Sequence, residues 1–474
     1  MKLLVIGIDA LMPELVFNNL EDYPVLKKLV ISGISGEYDG YVYGYGSHDN
    51  WTSLYTGLSP KEHQIIKGIY QPSGKLPRLY DYSSTETIWK ILNENGYKVG
   101  MWKGLVTAPP EPIDGYMVSG ELAFDEHFED PEIAIDGHML CEKDQHLIDL
   151  FEGEFPKRPT PKSPDQFGYT WEELFNNPQL VNNLLDENYF EEGYQYLKDM
   201  LDYSLLNIRK VNEKEKVDLF WFYNGIFDYL GHFTMHDFNR TQLKKAIKLV
   251  DDFVGEMLNI FQPENVIVLS DHGQKSFIDH FPNCDIELQK ESFGLADQCL
   301  FLGDNILMQA RTGGFLTSLH SLKGTMILNG ENFKQGKLKG MRNLDVYPLI
   351  LEMFDCIIPK NRKGLIHPVL NKEHLKNPEQ QYKLHKPKVN EKVLIVQTCE
   401  VNVFNGYIND FYNENRFSNI FIFGKEKYRS VFLANQQVSG FYDMDQPLEK
   451  SVFDKVLVPY VNAKTKELLF TNIK

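Results

Sequence analysis

Several short, mostly apolar runs occur along the chain, and between two of them lies a stretch in which apolar residues recur at helical spacing. Residues 3–8, 98–102, 217–223 and 266–269 have the length and composition of buried strands. Between the last two, apolar residues recur every three or four positions from 243 to 258, which is the spacing of one helix face. This alternation predicts an α/β fold with a mainly parallel central sheet and helices on both faces.

Two stretches interrupt this pattern. Residues 120–215 are acidic and rich in Asn, Pro, Tyr and Glu, and they predict a helical cap inserted into the sheet domain. Pro, Lys, Asn and His dominate residues 360–390, after which strand signals return. The sequence therefore predicts a large domain of residues 1–370 and a small C-terminal α/β unit of residues 390–474, with strands at 393–396, 419–423 and 455–458. The role of this C-terminal unit stays open.

Composition and charge narrow the class of partner. The chain is 42% hydrophobic and 24% charged, which is typical of a globular protein. Its formal net charge of −17 opposes binding to a nucleic-acid backbone or an anionic membrane. A small anionic substrate stays compatible, because bound divalent cations reverse the sign of the local field.

Cysteine usage and the N-terminal run point to a cytoplasmic location. Five scattered Cys residues form neither a disulfide framework nor a C-x-x-C pattern. The apolar run at 3–8 is too short for a signal peptide or a membrane span, and no run of 18 apolar residues occurs elsewhere. The oligomeric state stays open.

Acidic and histidine side chains stand at or just after the ends of the predicted strands. They are Asp9 after the first strand, Asp228 and His232 after the strand at 217–223, Asp271 and His272 after the strand at 266–269, and His320 in the segment 318–324. Carboxylate and imidazole ligands suit zinc, and manganese less exclusively. The pattern predicts two divalent ions, of the kind that clamp the attacking and leaving oxygens of a displacement at phosphorus.

Each of these residues, taken alone, has an ordinary structural explanation. An Asp after a strand is often a helix cap or a turn residue. Asp228 and His232 could be a simple surface pair at i, i+4, and His320 a structural histidine. Ser47 or Asp49 could be an N-cap. Only the joint placement of the acidic and histidine residues at one edge of a sheet favours the functional interpretation.

The segment from Ser47 onward supplies a candidate nucleophile. Its pattern predicts a loop that leads into a short helix over residues 50–56. A hydroxyl at a helix N-terminus lies in a field that favours anions, so both a bound phosphate and an alkoxide are stabilised there. A neighbouring metal ion would lower the pKa of the Ser47 hydroxyl and complete its activation.

Several short motifs occur together in chain order. They are Gly7-Ile8-Asp9-Ala10, Ser47 four residues before Trp51, Thr56-Gly57-Leu58-Ser59-Pro60-Lys61-Glu62-His63, Asp228-Tyr229-Leu230-Gly231-His232, Ser270-Asp271-His272-Gly273, His320 followed by Gly324 and an apolar run at 326–328, and Asp345-Val346-Tyr347-Pro348-Leu349-Ile350-Leu351. Over residues 1–370 the set resembles the alkaline phosphatase superfamily. The nearest branch is the type I phosphodiesterase/nucleotide pyrophosphatase group with its intracellular phosphohydrolase and phosphomutase relatives.

The resemblance implies a fold and a distribution of roles. The fold would be alkaline-phosphatase-like, and Ser47 the nucleophile that forms a phosphoserine. One ion would be held by Asp9, Ser47, Asp271 and His272, and the other by Asp228, His232 and His320. Asn50 would bind a phosphoryl oxygen of a small phosphorylated substrate, with a nucleotide among the candidates.

Departures from the family pattern leave the substrate open. Ser47 stands where the diesterase branch usually has Thr, and His63 is followed by Gln64 where Gly is usual. Two alternatives to hydrolysis also stay open. A phosphomutase or phosphotransferase would use the same phosphoserine, and an inactive binding or scaffold protein would keep only the fold.

Overall fold

The computed structural model describes most of the N-terminal part of the chain and the strands of the C-terminal part. The described residues are 1–40, 46–66, 68–75, 77–82, 85–119, 140–157, 170, 173, 187–234, 241–276, 299–302, 305–309, 315–316, 318–381, 392–398, 408, 411, 419–428, 432, 438–448, 453–461 and 468–472. Much of the predicted cap, residues 120–215, therefore lies outside them. The chain divides into two compact units, of which the first comprises residues 1–160, 186–274 and 320–382.

An eight-stranded sheet forms the centre of the first unit. Its strands are β1 (Leu3–Ile8), β2 (Ile34–Asp39), β3 (Val99–Trp102), β4 (Gly115–Val118), β5 (Leu219–Asn224), β6 (Asn265–Leu269), β7 (Lys323–Gly330) and β8 (Gly336–Lys337). They lie in the order β8-β2-β7-β6-β1-β5-β3-β4. The five strands from β6 to β4 run parallel to one another, and β7 is antiparallel to both of its neighbours. The prediction of a mainly parallel α/β sheet is confirmed.

Successive residues of β1 point into two separate apolar layers. Leu3 and Val5 pack in the layer that contains Trp51, whereas Leu4 and Ile6 pack in the other layer. Every residue of β1 is buried, because helices cover both faces of the sheet. This two-sided burial explains why β1 is a continuous apolar run in the sequence.

The main helices of the first unit connect these strands. They are α1 (Pro24–Ser32), α2 (Ser47–Thr56), α3 (Ile88–Glu94), α4 (Glu187–Lys214), α5 (Ile226–Thr234), α6 (Thr241–Phe261) and α7 (Val346–Met353), with shorter helices at Pro13–Phe17, Pro60–His63 and Leu79–Tyr82. The predicted helix between residues 243 and 258 is confirmed by α6. Among the described residues, no helix combines the length and the apolar composition that a membrane crossing requires.

Helix α2 begins three residues earlier than predicted, at Ser47 and not at Asn50. The Asp49 carboxylate accepts the backbone N–H of Gly46 at 3.0 Å and so caps the helix from its third residue. Ser47 is therefore the first residue of a helix and not a loop residue.

The second compact unit comprises residues 161–185, 275–319 and 383–474. Its main sheet contains β9 (Lys392–Val396), β10 (Asn419–Gly424), β11 (Val438–Asp443), β12 (Lys455–Val461) and β13 (Leu468–Asn472), in the order β11-β10-β9-β12-β13. Only β13 is antiparallel to its neighbour. Three short strands at Cys299–Leu302, Asn305–Gln309 and Phe315–Leu316 form a separate sheet. The three strands predicted in the C-terminal unit are confirmed, and two further ones were not predicted.

Candidate active site

The predicted site residues meet at one edge of the central sheet. Asp9 follows β1 directly, Asp271 follows β6 after one residue, and Asp228 lies in the first turn of α5, just after β5. These three strands are neighbours in the sheet and run parallel, so their carboxyl ends share an edge. His320 reaches the same edge because it precedes β7, which is antiparallel to β6 and begins where β6 ends.

Four of the residues form what we call the serine-side cluster: Asp9, Ser47, Asp271 and His272. The Ser47 hydroxyl lies 3.2 Å from Asp9 Oδ1 and 3.1 Å from His272 Nε2. His272 Nε2 in turn lies 3.4 Å from Asp9 Oδ1 and 3.2 Å from Asp271 Oδ2. The two carboxylates and the imidazole of this cluster are almost completely buried.

The hydrogen bonding of His272 bears on what this cluster could bind. Its Nδ1 lies 3.0 Å from the backbone oxygen of Gly273, which can only accept, so Nδ1 carries the ring proton. In the neutral ring, Nε2 therefore presents a lone pair to two carboxylate oxygens. A Ser-His-Asp triad would place its carboxylate at Nδ1, which is not the arrangement here. Lone pairs that face one another across about 3 Å need a proton or a metal cation between them.

The remaining three residues form the histidine-side cluster: Asp228, His232 and His320. The Nε2 atoms of the two histidines are 3.0 Å apart, and each lies 3.5 Å from Asp228 Oδ1. Asp228 and His232 share one face of α5 because they are four residues apart in the helix. The rings of His320 and His272 stack with centroids 3.8 Å apart, so the two clusters adjoin.

Burial changes the protonation of these carboxyl groups in the metal-free protein. It raises the pKa of Asp9 and of Asp271, and the neighbouring Asp228 and Asp9 charges, respectively, add to the effect. Burial also raises the pKa of Asp228 to about 7. The pKa of His272 is lowered, again mainly by burial. Three acidic groups are thus held together in a place where their charges are costly without a counter-ion.

The donor set fits divalent metal ions. Ligand atoms bound to zinc at 2.0–2.1 Å in a tetrahedron lie about 3.3 Å apart. The distances within the serine-side cluster run from 3.1 to 3.4 Å, and those within the histidine-side cluster from 3.0 to 3.5 Å. In addition, Asp271 Oδ2 is buried and has no hydrogen-bond partner among the described residues. Each cluster therefore offers oxygen and nitrogen ligands at the spacing of one ion.

Comparison with known proteins agrees with this chemistry. The family model described as type I phosphodiesterase / nucleotide pyrophosphatase matches residues 3–287. The chain belongs to this family. The match confirms the resemblance seen in the motifs and supports the prediction of a phosphoester hydrolase. No curated protein matches the chain.

Solved structures of the phosphodiesterase family are similar to this chain at low identity. Human ectonucleotide pyrophosphatase / phosphodiesterase 5 is 13% identical, with 78% of this chain and 100% of the other covered and a TM-score of 0.46. An inactive variant of the murine protein, solved in complex with AMP, is 13% identical, with 76% and 97% covered and a TM-score of 0.43.

Two aromatic residues of this phosphodiesterase-family chain hold Asp9 from behind. Trp51 Nε1 and the Tyr223 hydroxyl donate to Asp9 Oδ2 at 3.0 and 2.9 Å, which leaves Oδ1 directed toward Ser47. The two rings pack edge to face, with centroids 4.9 Å apart. Sequence reasoning missed both roles. For Tyr223 the one signal was an aromatic residue with a polar tip close to the carboxyl end of β5, and for Trp51 it was the motif position four residues after Ser47.

The last histidine of the Thr-Gly-x-x-Pro-x-x-His motif, His63, anchors helix α2. Its Nδ1 accepts the backbone N–H of Ile65 at 3.1 Å, so in the neutral ring Nε2–H donates to the Ser53 hydroxyl, also at 3.1 Å. Burial lowers the pKa of His63 to about 3, which keeps the ring neutral. The histidine of this family motif therefore positions the helix that begins with Ser47.

Asn50 lies one turn after Ser47 in α2, and its side chain is completely buried. Its Nδ2 donates to the backbone oxygen of Gly46 at 3.1 Å, and its Oδ1 accepts a hydrogen bond from Asn343 Nδ2 at 3.1 Å. Asn343 thereby fixes which end of the Asn50 amide is the donor. Contact between Asn50 and a phosphoryl oxygen stays a prediction.

Proposed function

We propose that the chain is a two-metal phosphodiesterase that hydrolyses a small phosphate ester through a phosphoserine on Ser47. Nucleotides are the first substrates to test, because the family description names nucleotide pyrophosphatases. The observation that carries the proposal is the position of the Ser47 hydroxyl, 3.2 Å from Asp9 Oδ1 and 3.1 Å from His272 Nε2. The nucleophile is thus part of the ligand cluster itself.

The two clusters would divide the metal ligands between them. Asp9, Ser47, Asp271 and His272 would hold one ion, and Asp228, His232 and His320 the other. When bound, zinc or manganese ions supply positive charge that offsets the phosphate oxygens and favours ionisation of a serine hydroxyl. The orientation of these ligands is fixed by the protein, notably by Trp51 and Tyr223 at Asp9.

The residues of the chain account for both chemical steps. Ser47 Oγ attacks phosphorus and its proton passes to solvent water, while the bond to the leaving oxygen breaks and the leaving group takes a proton from water. The N-terminal end of α2 favours the negative charge that gathers beside Ser47. The Asn50 amide donates an N–H to a phosphoryl oxygen. Water then attacks the phosphoserine in line, which releases the phosphate product and restores the Ser47 hydroxyl.

The decisive variant is Ser47→Ala. We expect turnover of a nitrophenyl nucleotide diester to fall below detection, while elemental analysis still finds two ions per chain, because the carboxylate and imidazole ligands remain. The wild-type enzyme, quenched during turnover of this diester, should carry one nucleotidyl group, bonded through its phosphorus to Ser47 Oγ, by mass spectrometry. Ser32→Ala, at the exposed end of α1, is the matched control.

Three results would overturn the proposal. Near-normal turnover by Ser47→Ala would show that Ser47 is not the nucleophile. Fewer than two bound ions in the active wild type would exclude the two-metal mechanism. A phosphorylated product with no release of phosphate or nucleoside monophosphate to water would replace hydrolysis by transfer to a second hydroxyl.

A further inference from the structure

Gln274 contacts Asp228 through two hydrogen bonds, although it lies outside both ligand clusters. Its side chain is 1% exposed. Its Nε2 donates to Asp228 Oδ1 at 2.5 Å and to the backbone oxygen of the same residue at 2.9 Å. Oδ1 is also the oxygen that lies 3.5 Å from each histidine of the cluster. Gln274 therefore touches the very atom that would bind the second ion.

The orientation of this amide is determined by its partners. Both groups of Asp228 that it contacts can only accept while the carboxylate is ionised, so both protons of Nε2 are directed at Asp228. The reversed amide would place Oε1 against two acceptors. Oε1 instead points away, and it is buried without a hydrogen-bond partner among the described residues.

Gly231, in the interior of α5, leaves the space that the amide occupies. A Cβ atom at this position would lie 1.6 Å from Gln274 Oε1 and 2.7 Å from its Cδ. Glycine inside a helix is less favourable than alanine, so the helix itself gives no reason for a glycine at position 231. The three nearest atoms to the added Cβ all belong to Gln274.

We propose that Gln274 is a positioning residue for Asp228, and that Gly231 is the gap in α5 that admits its amide. The pair would fix both the carboxylate and the main chain of Asp228, and so set the affinity of the histidine-side cluster for its ion. The inference rests on the proposed function, which places an ion at this cluster. Partners that orient a metal ligand in this way typically change metal affinity by about 10–100-fold when removed.

The first test uses Gln274→Met, which keeps the length of the side chain and removes both donors. We expect its affinity for one of the two zinc ions to fall about 10–100-fold, while the affinity for the other is unchanged. Zinc titration against a competing chelating indicator measures both affinities. Gln274→Glu should lower the affinity for the same ion further, because the oxygens of the new carboxylate would face the hydrogen-bond acceptors of Asp228. Gln195→Met, at an exposed position of α4, is the control and should leave both affinities unchanged.

The second test is a double-variant cycle that needs no bound metal. Gly231→Ala alone should lower the melting temperature of the metal-free protein, because its Cβ displaces the Gln274 amide. In the Gln274→Ala background, the same Gly231→Ala change should leave the melting temperature equal or higher, since the clash is gone and alanine favours the helix. The cycle also covers the case in which Gln274→Met fails to fold.

The outcomes separate this inference from the proposed function. If the wild type binds two ions and Gln274→Met keeps both affinities, the inference is wrong while the proposed function stands. If the wild type binds fewer than two ions, the proposed function fails, and with it the effect on the ion. If Gly231→Ala is equally destabilising with and without Gln274, the assigned contact is wrong.

Discussion

The serine-side and histidine-side clusters lie side by side, yet the chain builds them differently. In the first, the side chains of Asp9, Asp271 and His272 are at most 1% exposed. In the second, the exposed fraction is 12% for Asp228 and 23% for His320. The first cluster combines the ends of β1 and β6 with the first residue of α2, whereas the second combines α5 with His320 of the short strand Ser318–Ser321.

This difference indicates different duties. The serine-side cluster places buried carboxyl groups at strand ends beside Ser47, the proposed nucleophile, so we expect its ion to be held tightly and to exchange slowly. The histidine-side cluster is more open to solvent, and its Asp228 lies in a helix and accepts hydrogen bonds from Gln274. We expect its ion to exchange more readily and to meet the leaving group.

The largest contrast should come from removing one carboxylate charge in each cluster. Asp271→Asn and Asp228→Asn should each lower turnover on the order of 10³-fold, because each would remove one of the proposed metal ligands. Only Asp271→Asn should clearly raise the melting temperature of the metal-free protein, since it removes a buried carboxyl group that is costly to ionise and whose Oδ2 has no hydrogen-bond partner among the described residues. Asp228 Oδ1 already accepts from Gln274, so its replacement should relieve less.

Calorimetry of both metal-free variants beside the wild type measures the contrast. A larger rise in melting temperature for Asp228→Asn than for Asp271→Asn would reverse the comparison between the clusters.

A smaller effect, on metal affinity, should follow from removing a hydrogen-bond donor to Asp9. Tyr223→Phe removes only the hydroxyl that donates to Asp9 Oδ2, and we expect about a 10–100-fold loss of affinity for the serine-side ion. Zinc titration against a chelator measures it. Tyr116→Phe is the matched control, because that buried hydroxyl in β4 has no hydrogen-bond partner among the described residues. Equal affinities in the two variants would contradict the role assigned to Tyr223.

The pH dependence of metal binding should follow from the buried carboxyl groups. Burial raises the pKa of Asp228 to about 7 in the metal-free protein, so a proton occupies the ligand below that pH and none does above it. Affinity of the histidine-side cluster should therefore fall as pH drops below about 7, by up to about tenfold per pH unit for one displaced proton. The serine-side cluster should release more protons, because both Asp9 and Asp271 have raised pKa values.

Zinc titrations across this range, with proton uptake or release recorded, test that sign. Affinity that is constant from pH 5.5 to 7.5 would contradict it.

The smallest expected effect concerns the orientation of Asn50. Asn343→Ala removes one hydrogen bond to the Asn50 amide, which is worth about 0.5–1.5 kcal/mol, so turnover should fall by up to about tenfold with metal content unchanged. Asn371→Ala, at an exposed position, should have no effect. A loss of bound metal in Asn343→Ala would show that Asn343 supports the fold and not the amide.

The sequence predicted best the elements whose environment is uniform. The limits of β1 follow from burial on both faces, and α6 follows from its apolar stripe. β2 escaped prediction because it mixes Ser, Gly, Glu and Asp with its apolar residues, next to the short edge strand β8. The start of α2 was wrong because Asp49 caps the helix from inside, which a polar tetrapeptide does not reveal.

The candidate site divides in the same way. The seven residues assigned to metal binding could be selected from strand ends and motifs, and the structure brings all of them together. Their supporting partners could not be selected, because Tyr223, Gln274 and Asn343 act across 214, 46 and 293 residues of chain. Such pairings depend on how side chains pack after folding, and no local pattern encodes them.

The dispersal of the ligands along the chain, from Asp9 to His320, bears on how the protein matures. No local segment contributes more than two of the seven residues. A nascent or unfolded chain should therefore have low affinity for a divalent ion. Most of the first compact unit must be synthesised before His320 can join the other six residues. The ions would then bind after folding and would not direct it. Their binding free energy would stabilise the native state almost exclusively, because the unfolded chain would bind them weakly.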